Sequence, residues 1–96
     1  LGLEPIAWLT GWAAAGCDPS RMGIDPVSAV ERLFARTGLG WDDIDVVELN
    51  EAFAPQVLAV LKGWGWSDDD SRMAMLNVNG SGISLGHPIG ATGGRI

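Results

Sequence analysis

The sequence is poor in cysteine, in basic residues and in long apolar runs. Its single cysteine, Cys17, cannot form a disulfide within the chain, and such a composition suits a reducing compartment, so we expect a cytoplasmic protein. Twelve acidic residues against six basic ones give a net charge of −6, which argues against a nucleic-acid partner because that would need a clustered basic surface. No run approaches the roughly 20 apolar residues of a membrane helix, and the N-terminus lacks the basic segment of a signal peptide.

What remains is the composition of a small globular protein. Hydrophobic residues make up 47% and charged residues 19% of the 96 positions, values typical of a folded chain. A chain of this length forms one domain at most. Much of the negative charge lies in residues 42–45 and 68–70, which we interpret as solvated loops.

The pattern of apolar and turn-forming residues predicts an α/β fold in the order β-α-β-α-β. Strands are predicted over residues 6–16, 44–49 and 74–78, and helices over 25–37 and 51–62. Asp25 and Pro26 are typical of a helix start and Gly38 of a helix end. Pro55 costs roughly 3 kcal/mol inside a helix, so the second helix should begin near Glu51 or Ala52. The alternation implies a parallel or mixed sheet flanked by helices. The predicted apolar faces are Val27, Val30, Leu33 and Phe34 on the first helix and Phe53, Val57, Val60 and Leu61 on the second.

Two polar segments follow predicted strands, at residues 50–54 and 77–93, where α/β sheets place ligands. His87 is the only histidine. Its imidazole can take a proton from a thiol or donate a hydrogen bond to a developing oxyanion. Asn50 can hold a water or orient a neighbour, and the glycines allow close approach of the backbone to a ligand.

Simpler interpretations exist for each of these residues. A single histidine in a loop is more often structural or solvated than catalytic, and Asn50 could be a helix N-cap. Met22 and Phe53 would ordinarily belong to the core. The glycine-rich segment contains no GxGxxG, so neither a dinucleotide-binding loop nor a phosphate-binding loop is indicated.

The two segments together resemble thiolases of the acetyl-CoA acetyltransferase and 3-ketoacyl-CoA thiolase type. Residues 50–53, Asn-Glu-Ala-Phe, resemble the NEAF motif of that family, and residues 86–88, Gly-His-Pro, within 77–93 resemble its NVNGG…GHP…G signature. The resemblance covers nearly the whole chain, since residues 18–27 are similar to the segment before the first motif. Ser81 and Asp25 depart from the pattern, because the family often has glycine at both positions.

The resemblance implies a thiolase-like fold in which residues 1–96 are part of a C-terminal domain, cut at both ends. Thiolases cleave or form a 3-ketoacyl-CoA through an acyl-enzyme on a cysteine, with CoA and acyl-CoA as substrates and no cofactor or metal. His87 matches the histidine that activates that cysteine, and Asn50 matches the residue that holds a water in the oxyanion hole. Met22, Phe53 and Gly86 match positions at the acyl–pantetheine pocket. The whole protein is implied to be a homodimer or homotetramer.

The two catalytic cysteines of the family have no counterpart in this sequence. The nucleophile belongs to the N-terminal domain, and the acid/base cysteine follows the GHP segment in a C-x-G motif. Cys17 directly follows the first predicted strand, and we interpret it as a buried, inert thiol. The isolated chain is therefore expected to be inactive. Two alternatives stay open: a ketoacyl synthase, which the NEAF motif argues against, and a non-catalytic module that binds acyl-CoA or a partner subunit.

Overall fold

The structure is a computed structural model that describes residues 2–96. Its helices are α1 (Asp25–Thr37), α2 (Ala54–Gly63) and the four-residue α3 (Gly82–Leu85). Short 3-10 turns occur at Pro19–Arg21, Trp41–Asp43, Ser71–Met75 and Thr92–Gly94. Within the described residues no helix is both long and apolar enough to cross a membrane.

The prediction for α1 is confirmed apart from its N-cap. Gly38 ends the helix in the left-handed conformation (φ 76°), and its N–H donates to the carbonyl of Phe34 at 2.8 Å. The N-cap position is occupied by Ile24 rather than Asp25, which is already helical. The Asp25 carboxylate instead accepts a hydrogen bond from the N–H of Gly23, which precedes the helix, at 3.2 Å.

Helix α2 begins at Ala54, later than the predicted start at Glu51 or Ala52. A helix starting at Glu51 would need residue 55 to donate an N–H to the Glu51 carbonyl, and proline has none. Pro55 does lie in the first turn, as predicted. Phe53 is extended (φ −147°, ψ 143°) and 69% exposed, so its assignment to the apolar face of this helix is wrong. The remaining residues of that face, Val57, Val60 and Leu61, are buried as predicted.

Of the predicted sheet, the described residues form only one β-bridge. Across residues 2–96 the β pairing consists of one parallel bridge between Val47 and Leu76. The Val47 N–H donates to the Met75 carbonyl at 3.0 Å, and the Asn77 N–H donates to the Val47 carbonyl at 2.8 Å. None of the strands predicted over 6–16, 44–49 and 74–78 is confirmed in the described residues. The first contains no bridge, the second and third share the single bridge between Val47 and Leu76, and the 3-10 turn Ser71–Met75 takes up the start of the third.

The core lies between α2, the 44–49 segment and a cluster of tryptophans. Its buried residues are Leu49, Val57, Val60, Leu61 and Trp66. Trp41 contacts both Trp64 and Trp66, with ring centroids 5.0 and 4.9 Å apart. The residues 63–66 predicted as a loop therefore supply core side chains. At Gly63 a Cβ would lie 2.5 Å from a methyl carbon of Val27, so this glycine lets α2 approach α1 closely.

The N-terminal segment runs along α1 with most of its apolar side chains exposed. Arg36 and Arg32 on α1 donate to the carbonyls of Trp12 and Ala14, each at 2.9 Å. The Arg36 guanidinium also lies over the Trp12 ring, 5.5 Å from its centroid. The large apolar side chains left exposed in this segment are Leu3, Ile6, Trp8, Leu9 and Trp12.

Candidate active site

The structure brings the two motif segments together at Asn50 and His87. The amide Nδ2 of Asn50 lies 3.4 Å from Nε2 of His87, although the residues are 37 positions apart in sequence. Asn50 is half-buried, whereas the His87 side chain is exposed and accessible to a reactant. Asn50 is not a helix N-cap, since that position of α2 is taken by Phe53. The two predicted catalytic residues thus form a pair at the surface.

Asn77 fixes the backbone that leads into Asn50. Its Oδ1 accepts from the Leu49 N–H at 2.7 Å, and its Nδ2 donates to the Leu49 carbonyl at 2.9 Å. The side-chain amide thereby pairs with Leu49 as the backbone of a neighbouring strand would, continuing the bridge between Val47 and Leu76. Asn77 has φ 47°, a left-handed conformation that asparagine adopts more readily than most residues.

Ser81 and Glu51 join the two motifs on either side of Asn50. Ser81 is fully buried; its Oγ donates to the Leu49 carbonyl at 3.1 Å and accepts from the Glu51 N–H at 3.4 Å. The Glu51 carboxylate accepts from the Ile83 N–H at 3.0 Å and from Asn77 Nδ2 at 3.4 Å. A hydroxyl at position 81, where the family often has glycine, is therefore a structural link.

Gly82 allows the two motifs to touch. A Cβ at this position would lie 2.8 Å from the Glu51 carbonyl oxygen and 3.1 Å from Asn50 Oδ1. Backbone atoms are the nearest obstacle, so a side chain could be accommodated only by moving the motifs apart. Gly82 therefore sets the distance between the segment that carries Asn50 and α3.

The ring of His87 is held through its other nitrogen by Thr92. Nδ1 lies 2.9 Å from Thr92 Oγ1, and Thr92 is only 3% exposed. The loop that carries His87 is held in turn by Arg95, which donates to the carbonyls of Leu85 and Gly86 at 3.2 and 2.6 Å. Gly86 has φ 87°, which a residue with a side chain would adopt only with strain. Gly86 thus shapes the turn before His87.

Met22 and Phe53 lie beside Asn50 along one open groove. They are 82% and 69% exposed, so the interpretation of these residues as core is wrong. An open groove of about 600 Å³ is lined by both side chains together with Asn50, Gly23 and Gln56. Exposed apolar side chains next to a few polar groups are typical of a ligand-binding groove. Three of the five predicted site residues therefore line a continuous surface.

Cys17 is half-buried rather than buried, which corrects part of its prediction. Its thiol hydrogen-bonds to the carbonyls of Arg21 and Asp18 at 3.3 and 3.4 Å. Hydrogen bonding to the negatively charged Asp25 carboxylate raises the pKa of this thiol. Because the thiolate is the nucleophilic form, the surroundings of Cys17 disfavour the reactive state. Among residues 2–96 no three His, Cys, Asp or Glu side chains are placed to hold a metal ion.

Sequence reasoning singled out Asn50 and His87 as candidates but not the residues that hold them. Glu51, Asn77, Ser81 and Thr92 were not predicted as part of the site. They lie within the two motif segments, but the contacts of Glu51, Asn77 and Ser81 span 26 to 32 residues, so the sequence does not show which partners they hold. Thr92 offered the one usable signal, as a lone hydroxyl in a glycine-rich segment close after His87.

Comparisons with known proteins identify the family of this chain. The family of the thiolase C-terminal domain matches residues 3–96. An acetyl-CoA acetyltransferase of Chromobacterium violaceum is 50% identical over 96 residues, which cover 100% of this chain and 23% of that protein. A 3-ketoacyl-CoA thiolase of Idiomarina loihiensis is 53% identical over 96 residues, covering 100% of this chain and 24% of that protein.

A solved structure shows the same fold. The crystal structure of the Bacillus anthracis acetyl-CoA acetyltransferase superposes with a TM-score of 0.87 at 46% identity, over 98% of this chain and 23% of that one. The chain thus spans about a quarter of the length of the relatives that it matches. Its fold is thiolase-like, and the chain belongs to the family of the thiolase C-terminal domain.

Proposed function

We propose that this chain contributes Asn50 and His87 to the active site of a thiolase, an acyltransferase that cleaves or forms a 3-ketoacyl-CoA through an acyl-enzyme on a cysteine. The observation that carries the proposal is the 3.4 Å approach of these two side chains from separate motifs. The printed names of the relatives, acetyl-CoA acetyltransferase and 3-ketoacyl-CoA thiolase, support acyl-CoA as the substrate class. CoA is the second substrate, and no further cofactor is required.

His87 is proposed as the base that activates the nucleophilic thiol. Nε2 takes the thiol proton as the sulfur attacks the carbonyl carbon of the substrate. The resulting imidazolium then donates a hydrogen bond to the oxyanion of the tetrahedral intermediate. Asn50 holds a water that supplies a second donor to the same oxygen. Donors aimed at a developing oxyanion are typically worth a factor of about 10² to 10³ in kcat each.

The groove beside Asn50 is proposed to receive the acyl and pantetheine part of the substrate. Met22 and Phe53 present apolar surface there without rearrangement, since both are already exposed. Gly86 leaves the backbone next to His87 open, because no atom lies within 4 Å of where its Cβ would be. A thioester chain in this groove passes beside Asn50.

We propose that the thiols needed for turnover come from outside these 96 residues. Cys17 is a poor substitute, since its pKa is raised and its hydrogen bonds go to backbone carbonyls rather than to His87. The 96-residue chain alone is therefore inactive. In the whole protein, a mixed sheet is completed by strands at residues 6–16, 44–49 and 74–78. This sheet covers the apolar side chains of the N-terminal segment. We further propose a cytoplasmic homodimer or homotetramer, without nucleic-acid or membrane contact.

The test is CoA-dependent cleavage of acetoacetyl-CoA by a full-length thiolase that carries this segment. The full-length protein should turn over, and its His87→Ala variant should be slower by about 10² or more, the usual loss on removing a general base. The purified 96-residue chain should show no turnover. Asp68→Asn serves as the control, because Asp68 is exposed in the acidic loop and outside the site.

Near-normal cleavage by the His87→Ala variant would overturn the role of this residue, and steady turnover by the 96-residue chain would overturn its dependence on outside thiols. A chain that binds acyl-CoA while the full-length protein has no thiolase activity would favour the alternative of a non-catalytic binding module. Loss of activity in Asp68→Asn as well would show that the effect is not specific to His87.

A further inference from the structure

The two ring nitrogens of His87 face partners of different kinds. Nε2 lies 3.4 Å from the amide Nδ2 of Asn50, and Nδ1 lies 2.9 Å from the hydroxyl of Thr92. An amide nitrogen only donates, whereas a hydroxyl both donates and accepts. The two ends of the ring are therefore not equivalent, and one tautomer of the neutral imidazole fits them better than the other.

The hydroxyl of Thr92 has an acceptor for its own proton. Thr92 Oγ1 donates to the Pro88 carbonyl at 3.1 Å, one turn earlier in the loop. A hydroxyl that donates its proton to a carbonyl offers a lone pair to its other neighbour, which here is His87 Nδ1. The hydrogen bonds then run in one direction, from Asn50 through His87 and Thr92 to the Pro88 carbonyl.

We infer that Thr92 is a positioning residue that fixes neutral His87 as its Nδ1–H tautomer and leaves the Nε2 lone pair directed towards Asn50. A histidine free in water prefers the opposite tautomer, with the proton on Nε2. In a protein the hydrogen bond at one nitrogen decides which nitrogen carries the proton. Thr92 suits this task because it is 3% exposed, which keeps water from competing for Nδ1.

The inference deepens the proposed function, on which its catalytic consequence rests. Only the unprotonated ring nitrogen can take a proton from a thiol. With Nδ1 protonated and bonded to Thr92, that nitrogen is Nε2, on the side of the pair with Asn50. The tautomer itself is a property of the folded chain and does not depend on thiolase activity.

The test is nitrogen NMR of the ¹⁵N-labelled chain in alkaline buffer, where imidazole is neutral. Because His87 is the only histidine, a long-range proton–nitrogen correlation spectrum contains a single imidazole pattern. The wild-type chain should show a pyrrole-like Nδ1 and a pyridine-like Nε2. Thr92→Val keeps the shape but lacks the hydroxyl, and should shift the tautomer ratio towards Nε2–H by up to about tenfold, the effect of one hydrogen bond.

A variant that restores the hydroxyl at position 92 distinguishes a positioning role of Thr92 from a general structural one. Thr92→Ser retains a hydroxyl and should restore the wild-type pattern, while Thr10→Val, at an exposed position of the N-terminal segment, should leave it unchanged. A wild-type spectrum with a pyridine-like Nδ1 would overturn the inference, and needs no variant to fold. So would a wild-type pattern that persists in Thr92→Val. A full-length protein without thiolase activity would overturn the proposed function while leaving this tautomer in place.

Discussion

At the scale of single residues, Asn77 explains how a site can form where the sheet is almost absent. Its side-chain amide hydrogen-bonds to both the N–H and the carbonyl of Leu49. The residue before Asn50 therefore has the same backbone hydrogen bonds as a residue in a paired strand. Asn50 and His87 could be singled out as candidates, because the chemistry of an amide and an imidazole within the two motifs is visible in the sequence. Asn77 and Ser81 lie in the same glycine-rich segment, but their structural roles were not visible, because their partners lie 28 to 32 residues away and only folding brings them together.

Gly82 gives a prediction at the same scale. Gly82→Ala places a Cβ 2.8 Å from the Glu51 carbonyl oxygen, and overpacking of this kind costs about 1–3 kcal/mol. We expect the free energy of unfolding in urea to fall by that amount. Gly16→Ala is the matched control, since no atom lies within 4 Å of its Cβ position. Equal stability of the two variants would show that Gly82 does not set the contact between the motifs.

At the scale of elements, helix ends with local signals were predictable and strands were not. The end of α1 at Gly38 depends on one glycine conformation, which the sequence reveals. The start of α2 was predicted too early, because Pro55 lacks the N–H that a helix beginning at Glu51 would need. Glu51 instead donates its N–H to Ser81 Oγ, and its carboxylate accepts from the Ile83 N–H. The apolar segment 6–16 has the composition of a strand, but a strand needs a partner along its edge.

The 3-10 turn Ser71–Met75 gives a prediction at this scale. Asp70 caps it: the carboxylate accepts from the Arg72 N–H at 2.9 Å and pairs with the Arg72 guanidinium at 2.6 Å. The hydrogen bonds from Arg72 lower the pKa of Asp70 from 3.8 to about 2. Since the folded-state pKa is depressed, the stabilisation is complete above pH 3.8 and is lost as the pH falls through about 2.

Asp70→Asn should therefore lower the Tm at neutral pH. The difference in Tm from wild type should shrink as the pH falls from 3.8 through about 2. Thermal melts followed by circular dichroism check this. Asp68→Asn, two residues earlier in the same loop, should leave the Tm unchanged across the range. A Tm difference for Asp70→Asn that is independent of pH would contradict the role of the carboxylate charge.

For the molecule as a whole, the tryptophan cluster belongs to the core, whereas Asn50 and His87 form a pair at the surface. Trp41, Trp64 and Trp66 pack against one another and against the buried residues of α2. Leu49, the residue before Asn50, belongs to the same core. The motifs singled out candidate site residues, but two of these tryptophans were predicted to lie in a loop, because a Gly-Trp-Gly-Trp run is typical of a turn. The resemblance assigned Met22 and Phe53 to a pocket, and the structure adds the shape of the groove that they line.

Asn50 and His87 act together on the acyl group in the proposed mechanism, and a double-mutant cycle in the full-length thiolase measures that coupling. Asn50→Ala, His87→Ala and the double variant are compared by kcat/KM for cleavage of acetoacetyl-CoA. Residues that serve one oxyanion lose their effects non-additively. Asn50→Ala alone should cost about 10² or more, and much less when His87 is already alanine. Near-normal activity of Asn50→Ala, or losses that multiply in full, would contradict the claim.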